Sequence, residues 1–424
     1  MKKIITKSLF VLGVLIMNHY QINAQGQIFD VVSIGPGYTN QSFYSLSNGE
    51  ISNELNTNWD LAFQISGFQA TILINSKNNV RLFKSGIDIN SWSSITANDT
   101  TGVLNAANEL YNQDTSWWAG AFNVTNDVSN QFDLGWGIYD LATHVVTGDS
   151  LFFLKLSTGV VKKLWIQSLQ NNTYFFAYAD LDGTNEVYAT LNKQSFQGKN
   201  FGYYSIIDGM ELDREPNKYL WDLTFAQYMA TTPFVYKVSG VLSNDSIQAV
   251  KAYPVDVATV TPWGYNFSFY INTIGNNWKA FDFNSNAWSI EDSLAYFIYD
   301  RGGLLWKVVF TGFGGASNGN YEFYKEQISA TGLIENGGQP ALLSVYPNPA
   351  SAALNLVCFI KESNSANTAG IYDINGKLVM NVGLSNYSGL NEIRVNTESL
   401  NEGVYVLKVS VDHITTSSRI VIVK

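Results

Sequence analysis

Few residues of this 424-residue chain could do chemistry, and they are scattered. There is one cysteine, Cys358, and there are three histidines, His19, His144 and His413. Zinc sites and Cys/His nucleophile pairs need such residues clustered, so neither chemistry is expected. The carboxylates Asp133, Asp140, Asp282 and Asp292 could in principle pair as a hydrolase acid and base. No GxSxG, HExxH or GxGxxG context accompanies them, and dispersed acids in an acidic chain are usually solvated. The stretch DLDGTNE, Asp180 to Glu186, has calcium-ligand residue types. Its glycine, Gly183, stands fourth rather than sixth, and apolar strand-like segments flank it, so an Asp-Gly hairpin turn is expected. Two sites could bind a ligand. One is the Trp117-Trp118 pair in TSWWAGAFN, whose rings offer a stacking face. In a strand they would face opposite sides and leave at least one exposed, while a loop or partial burial fits the sequence equally well. The other is His144, at the edge of a turn in LATHVVTGDS, with a plain strand-end histidine as the expected reading.

The elements that must position these residues read as strands. Only 14% of residues are charged, and Asn, Ser and Gly are abundant, which suits short strands joined by polar turns rather than long salt-bridged helices. A repeat organises them. WDLAF at Trp59 to Phe63 returns as WDLTF at Trp221 to Phe225, FYSLSNG from Phe43 as YYSIIDG from Tyr203, and DSLFFLKLSTG from Asp149 as DSLAYFIYDRG from Asp292. Order is kept throughout, so two copies of one β module are expected, over residues 25–196 and 197–328, the second being shorter. If the motif is a strand, Trp59 and Leu61 share one face and fill a core, while Asp60 points away and accepts bonds from a neighbouring turn. The competing role for the tryptophan is an exposed ligand platform; burial is the expected one.

The first residues predict the compartment. Lys2, Lys3 and Lys7 precede the apolar run SLFVLGVLIM, and a small residue stands before a cut expected between Ala24 and Gln25, so residues 1–24 read as a secretory signal peptide. No later segment approaches a membrane span. Loss of the three lysines takes the formal charge from −10 to −13, which argues against nucleic acid or an anionic membrane as partner. An exported protein without cysteine pairs must rest on hydrophobic cores.

After Gln327 the composition turns to a Gly-rich linker, 329–341. Residues 342–424 then alternate as strands with turns at Asn375-Gly376 and Glu402-Gly403, predicting a small β-sandwich. Tyr346-Pro347-Asn348-Pro349, IYDINGKLV with Gly376, NEGVYVLKV with Gly403, and the closing Lys424 stand together in one order. In this the segment resembles the type A C-terminal sorting domain of the type IX secretion system of Bacteroidota. That resemblance implies the type IX secretion machinery as partner. It implies passage across the outer membrane, removal of the tail, and release of the remainder or attachment to surface lipopolysaccharide.

The two modules, with their YYSL-type opening strand and WD(L/I)AF strand, resemble the HmuY-like family of bacterial haem-binding proteins. The resemblance implies an all-β fold and, for haem, a pair of His or Met ligands. The modules hold only His144, Met210 and Met229, and the haem ligand positions do not carry over. The expected protein is thus all-β: two duplicated HmuY-like antiparallel modules followed by a sandwich sorting domain. It is expected to be secreted or held on the outer cell surface, and to be a non-enzymatic binding protein for an undetermined ligand such as a glycan. Haem capture through His144 and a Met, and a secreted hydrolase, are the alternatives.

Overall fold

The computed structural model describes residues 26–67, 69–262, 264–328, 343–346, 348–360, 367–374, 376–384, 389–411 and 414–424. The expected cut at Ala24 and Gln25, the linker 329–341, Pro347 and His413 lie outside them. The described chain is all-β, with short antiparallel strands grouped into sheets and one α-helical turn, Gly315–Asn318.

Two sandwiches precede the tail. In the first, one sheet runs in the order Val187–Asn192, Thr173–Asp180, Val161–Gln170, Leu151–Lys155, Arg81–Lys84, Glu109–Leu110. The facing sheet runs Met210–Leu212, Phe201–Ser205, Leu61–Gln64, Ile72–Ile74. Alternation decides what is buried between them: Phe152 and Leu154, Leu164 and Ile166, Tyr174 and Phe176 point inward from successive strands onto Leu61, Phe63 and Tyr204. In the second sandwich, Ile28–Ser33, Asn320–Ile328, Leu305–Phe313, Ala295–Tyr299 and Gln248–Ala252 face Tyr236–Ser243, Leu223–Ala230, Asn40–Ser45 and Gly49–Leu55. Leu223, Phe225, Tyr296, Phe310, Tyr321 and Phe323 lie in its core.

These sheets do not follow the boundary expected at 196/197. The strand Asn40–Ser45 pairs with the second Trp-Asp-Leu strand, and Phe201–Ser205 pairs with the first. The registers match: Leu61 lies opposite Tyr204, and Leu223 opposite Tyr44. Ile28–Ser33 likewise closes the sheet edge at Asn320–Ile328. The physical reason is that alternation fixes which face of a strand is buried but leaves its edge partner free.

The carboxylate of each motif holds the exchanged strand in place. Asp60 accepts from the amides of Ile206 and Ile207 at 2.7 and 3.2 Å. Asp222 accepts from those of Leu46 and Arg301 at 2.8 and 3.0 Å. The expected turn contact is therefore present, and the turn it serves follows the exchanged strand. The tryptophan differs from expectation. Residues 56–60 form a turn ahead of the strand, so Trp59 packs with Ala62, Leu73 and Tyr203, on the face opposite Leu61 and Phe63. Trp59 meets Tyr203 edge-on at 5.1 Å, and Trp221 meets Phe43 at 5.0 Å. Such contacts add about 0.5–1.5 kcal/mol beyond burial.

The tail is a separate sandwich of three strands (Leu343–Tyr346, Ala353–Ile360, Gly389–Asn396) on four (Leu378–Val382, Thr368–Tyr372, Gly403–Val411, Ile414–Ile422). Leu354, Leu356, Ile371, Leu407 and Ile420 fill it. Asn348 donates to the carbonyl of Arg419 and accepts from the amide of Val421, both at 2.8 Å, pinning the YPNP segment to the last strand. Gly376 takes φ +82° in the turn before Leu378–Val382, a conformation that favours glycine. Gly403 opens its strand, and the Lys424 ammonium donates to the carbonyl of Glu398.

Candidate binding cavity

Where the two sandwiches meet, strand exchange brings distant segments together around a cavity of about 100 Å³. One wall comes from the Leu223–Ala230 strand, with Tyr228 and Met229, and from Gln41. The other comes from Trp59, from Ser76 and Lys77 in the Ser76–Asn78 turn, and from Asn112, Asp114 and Trp117. The junction is polar and cross-bonded. Asp114, buried, accepts from the Thr231 hydroxyl at 2.6 Å and from Asn272 at 3.0 Å. Arg214, also buried, donates to the side chain of Gln41 at 2.9 Å and to the carbonyl of Leu55 at 3.2 Å, and lies over the Tyr203 ring at 4.9 Å. Beside it Glu215 accepts from the amides of Asn200 and Phe201, while burial pushes its carboxyl up to about 7.

Two groups on the wall have unused hydrogen-bonding capacity. The Ser76 hydroxyl is buried without a hydrogen-bond partner. The half-buried Lys77 ammonium has no hydrogen bond or ion pair among the described residues. Burial, followed by the nearby cations Lys237 and Arg214, lowers it to about 8.

Of the sequence candidates, Trp117 lies on this wall. It and Trp118 sit in a turn rather than a strand, so they do not face opposite sides: both pack against Phe201, at 6.2 and 5.9 Å. Both are half-buried, and the Trp117 indole N–H donates to the carbonyl of Ser243 at 2.8 Å, tying one sandwich to the other. His144 is elsewhere, at the tip of the hairpin formed by Gly137–Asp140 and Val145–Gly148, with its Nδ1 2.7 Å from the Tyr139 hydroxyl. Met229 lies on the cavity wall, whereas Met210 is exposed on its own strand, so the structure does not gather the residues of the haem alternative into one site.

Three of the four acids considered for hydrolysis are occupied locally, and the fourth, Asp292, is exposed in the turn before Ala295–Tyr299. Asp133 accepts from the amides of Asp127 and Gly135, Asp140 from those of Ala142 and Thr143, and Asp282 from Asn284 and Ser285. The DLDGTNE segment is the expected hairpin connection, with Asp180 paired to Lys162 at 2.6 Å. Among the described residues no group of three or more His, Cys, Asp or Glu could hold a metal.

Sequence reasoning missed Ser76, Lys77, Asp114 and Arg214. The first two stand in NSKNN, which reads as a polar turn. Arg214 and Glu215 are adjacent opposite charges before Pro216, a pattern more typical of a solvated loop.

Comparison with known proteins places the tail. The model of the secretion system C-terminal sorting domain matches residues 344–423. Among solved structures, dimeric latent PorU from Porphyromonas gingivalis is similar at 11% identity with a TM-score of 0.20. That likeness covers 66% of this chain but only 26% of PorU, and is too slight to inform the fold. No curated protein matches. Residues 344–423 thus match a type IX secretion sorting domain, which implies that secretion machinery as partner and indicates a secreted or cell-surface protein. No helix among the described residues is long and apolar enough to cross a membrane.

Proposed function

We propose that the two sandwiches form a non-enzymatic binding protein, exported by the type IX route, whose ligand site is the cavity between them. The tail would be removed on export, and the body released or joined to surface lipopolysaccharide. The observation that carries the reading is the cavity wall. It combines aromatic surface from Trp59, Trp117 and Tyr228 with polar groups that the fold leaves unsatisfied, and this is how small-ligand sites are generally lined. We further read the sandwiches as an internal duplication of an HmuY-like module, supported by the repeated motifs and their matching registers. The haem alternative lacks comparable support, because His144 stands apart from the cavity.

Thermal-shift screening of the secreted body against glycans, organic acids and haem tests the reading. A stabilising ligand whose effect is lost in Trp117→Ala, with that variant still folded, is expected. A ligand that stabilises wild type and Trp117→Ala alike would place binding elsewhere, and a Soret band lost in His144→Ala would restore haem capture. Export is tested by truncating at about residue 335, in the linker: the body should fold and remain in the periplasm.

A further inference from the structure

The cavity wall contains a more specific chemical signal. Lys77 and Ser76 are adjacent on one short turn, both on the wall, and both lack a hydrogen-bond partner. Most other charged groups near them are already hydrogen-bonded. Asp114, the acid on the wall, has one carboxylate oxygen bonded to Thr231 and the other to Asn272. The Lys237 ammonium donates to the carbonyl of Lys77 at 2.8 Å and to Asn79 at 3.0 Å. Arg214 is engaged by Gln41 and Leu55 through its two terminal nitrogens, while its buried Nε has no partner. The local balance is therefore cationic, with one ammonium unused in a partly desolvated place. Such a group needs an anion to offset its lost hydration. The Lys77 ammonium suits one oxygen of a carboxylate, and the buried Ser76 hydroxyl stands next to it in sequence as a second donor. The flanking indoles of Trp59 and Trp117 suit a hydrocarbon or sugar-ring face beside that carboxylate.

Building on the cavity reading above, we propose that its ligand is a carboxylate-bearing hydroxylated molecule, an acidic sugar or a hydroxy acid, whose carboxylate is held by the Lys77 ammonium and the Ser76 hydroxyl. At about 100 Å³ the cavity takes the carboxylate and the carbons next to it, so the rest of a larger ligand extends outside. The lowered proton affinity of Lys77 agrees with the geometry: an anion seated there would restore it.

The experiment is isothermal titration of the secreted body with glucuronate, lactate, glucose and inorganic phosphate, on wild type, Lys77→Met, Lys77→Arg and Ser76→Ala. Glucuronate or lactate is expected to bind wild type, at least about tenfold more weakly to Lys77→Met, and with intermediate strength to Lys77→Arg and Ser76→Ala. Binding of glucuronate but not lactate assigns the acidic sugar, and the converse the hydroxy acid. Unfolding midpoints confirm that each variant is folded. Should Lys77→Met fail to fold, the Lys77→Arg and Ser76→Ala titrations decide, and unaltered affinity in both overturns the proposal. Glucose binding as tightly as glucuronate, unaffected by Lys77→Met and lost in Trp117→Ala, overturns the carboxylate assignment but leaves the cavity reading intact. Phosphate bound through Lys77 without either acid overturns the class of anion. No binding by any of the four probes overturns the proposal, and the wider screen then decides on the cavity itself.

Discussion

Each of the two sandwiches faces a larger sheet against one of four strands, yet the chain reaches them in different ways. The first is a continuous stretch, residues 56–212, whereas the second is assembled from 26–55 and 213–328. Its outer strand begins with Ile28 paired to Lys325, across nearly the whole body. Closing so long a loop adds entropy only slowly with length, since each doubling costs roughly 0.6 kcal/mol, so the arrangement is thermodynamically inexpensive but kinetically late. The comparison shows that a sandwich can be completed either by strands that follow its first ones in sequence or by strands that precede everything else.

Deleting residues 26–55 gives the largest expected effect. The second sandwich loses three of its nine strands and should not fold, while 56–212 expressed alone should still unfold cooperatively. Proton-exchange protection surviving in both sandwiches after the deletion would break the comparison. Trp59→Ala and Trp221→Ala come next. Each empties a buried aromatic site packed on an exchanged strand, for about 3–5 kcal/mol in denaturant unfolding. Unequal losses would mean that the two exchanges are not equivalent. Asp60→Ala leaves the Ile206 and Ile207 amides without their acceptor and should cost about 2–3 kcal/mol, with Asp222→Ala similar.

The smallest effect is on pH. Burial, followed by the nearby Asp300, raises Asp222 to about 6, and burial raises Glu215 to about 7. Both exceed the usual carboxylate range, so ionisation costs the folded state more than the unfolded one. Their contribution is fully present below about pH 4 and is lost as pH climbs through 6 and 7. Urea midpoints should therefore rise from pH 8 to pH 5, and Glu215→Gln should flatten the curve.

Some of this was legible in the sequence and some was not, for physical reasons. The repeated Trp-Asp-Leu motif announced two strand-rich units, and its aspartate read correctly as a turn acceptor, because both are local statements about residue type and alternation. Strand exchange was not legible: Leu61 opposite Tyr204 is a long-range pairing that alternation leaves open. Trp117 and Trp118 stood out by composition, but their common orientation follows from a turn that no period announces. The cavity was hidden for the same reason as the exchange. Its walls range from Gln41 to Ile271 and converge only once both sandwiches are closed. The tail was the opposite case, since YPNP, the Asn-Gly turn and the closing strand are short-range signals in fixed order.

The interleaving of the strands bears on what proteases outside the cell could do to this protein. Leu220, exposed in the loop between Met210–Leu212 and Leu223–Ala230, is an accessible place for a cut. Cleavage there would leave one fragment ending near 220 and another beginning just after it, but the second sandwich takes strands from both. The fragments would remain joined through Asn40–Ser45 on Leu223–Ala230 and Ile28–Ser33 on Asn320–Ile328. A severed backbone at this point does not divide the body, because the joint between its halves is a pair of β-ladders rather than a peptide bond.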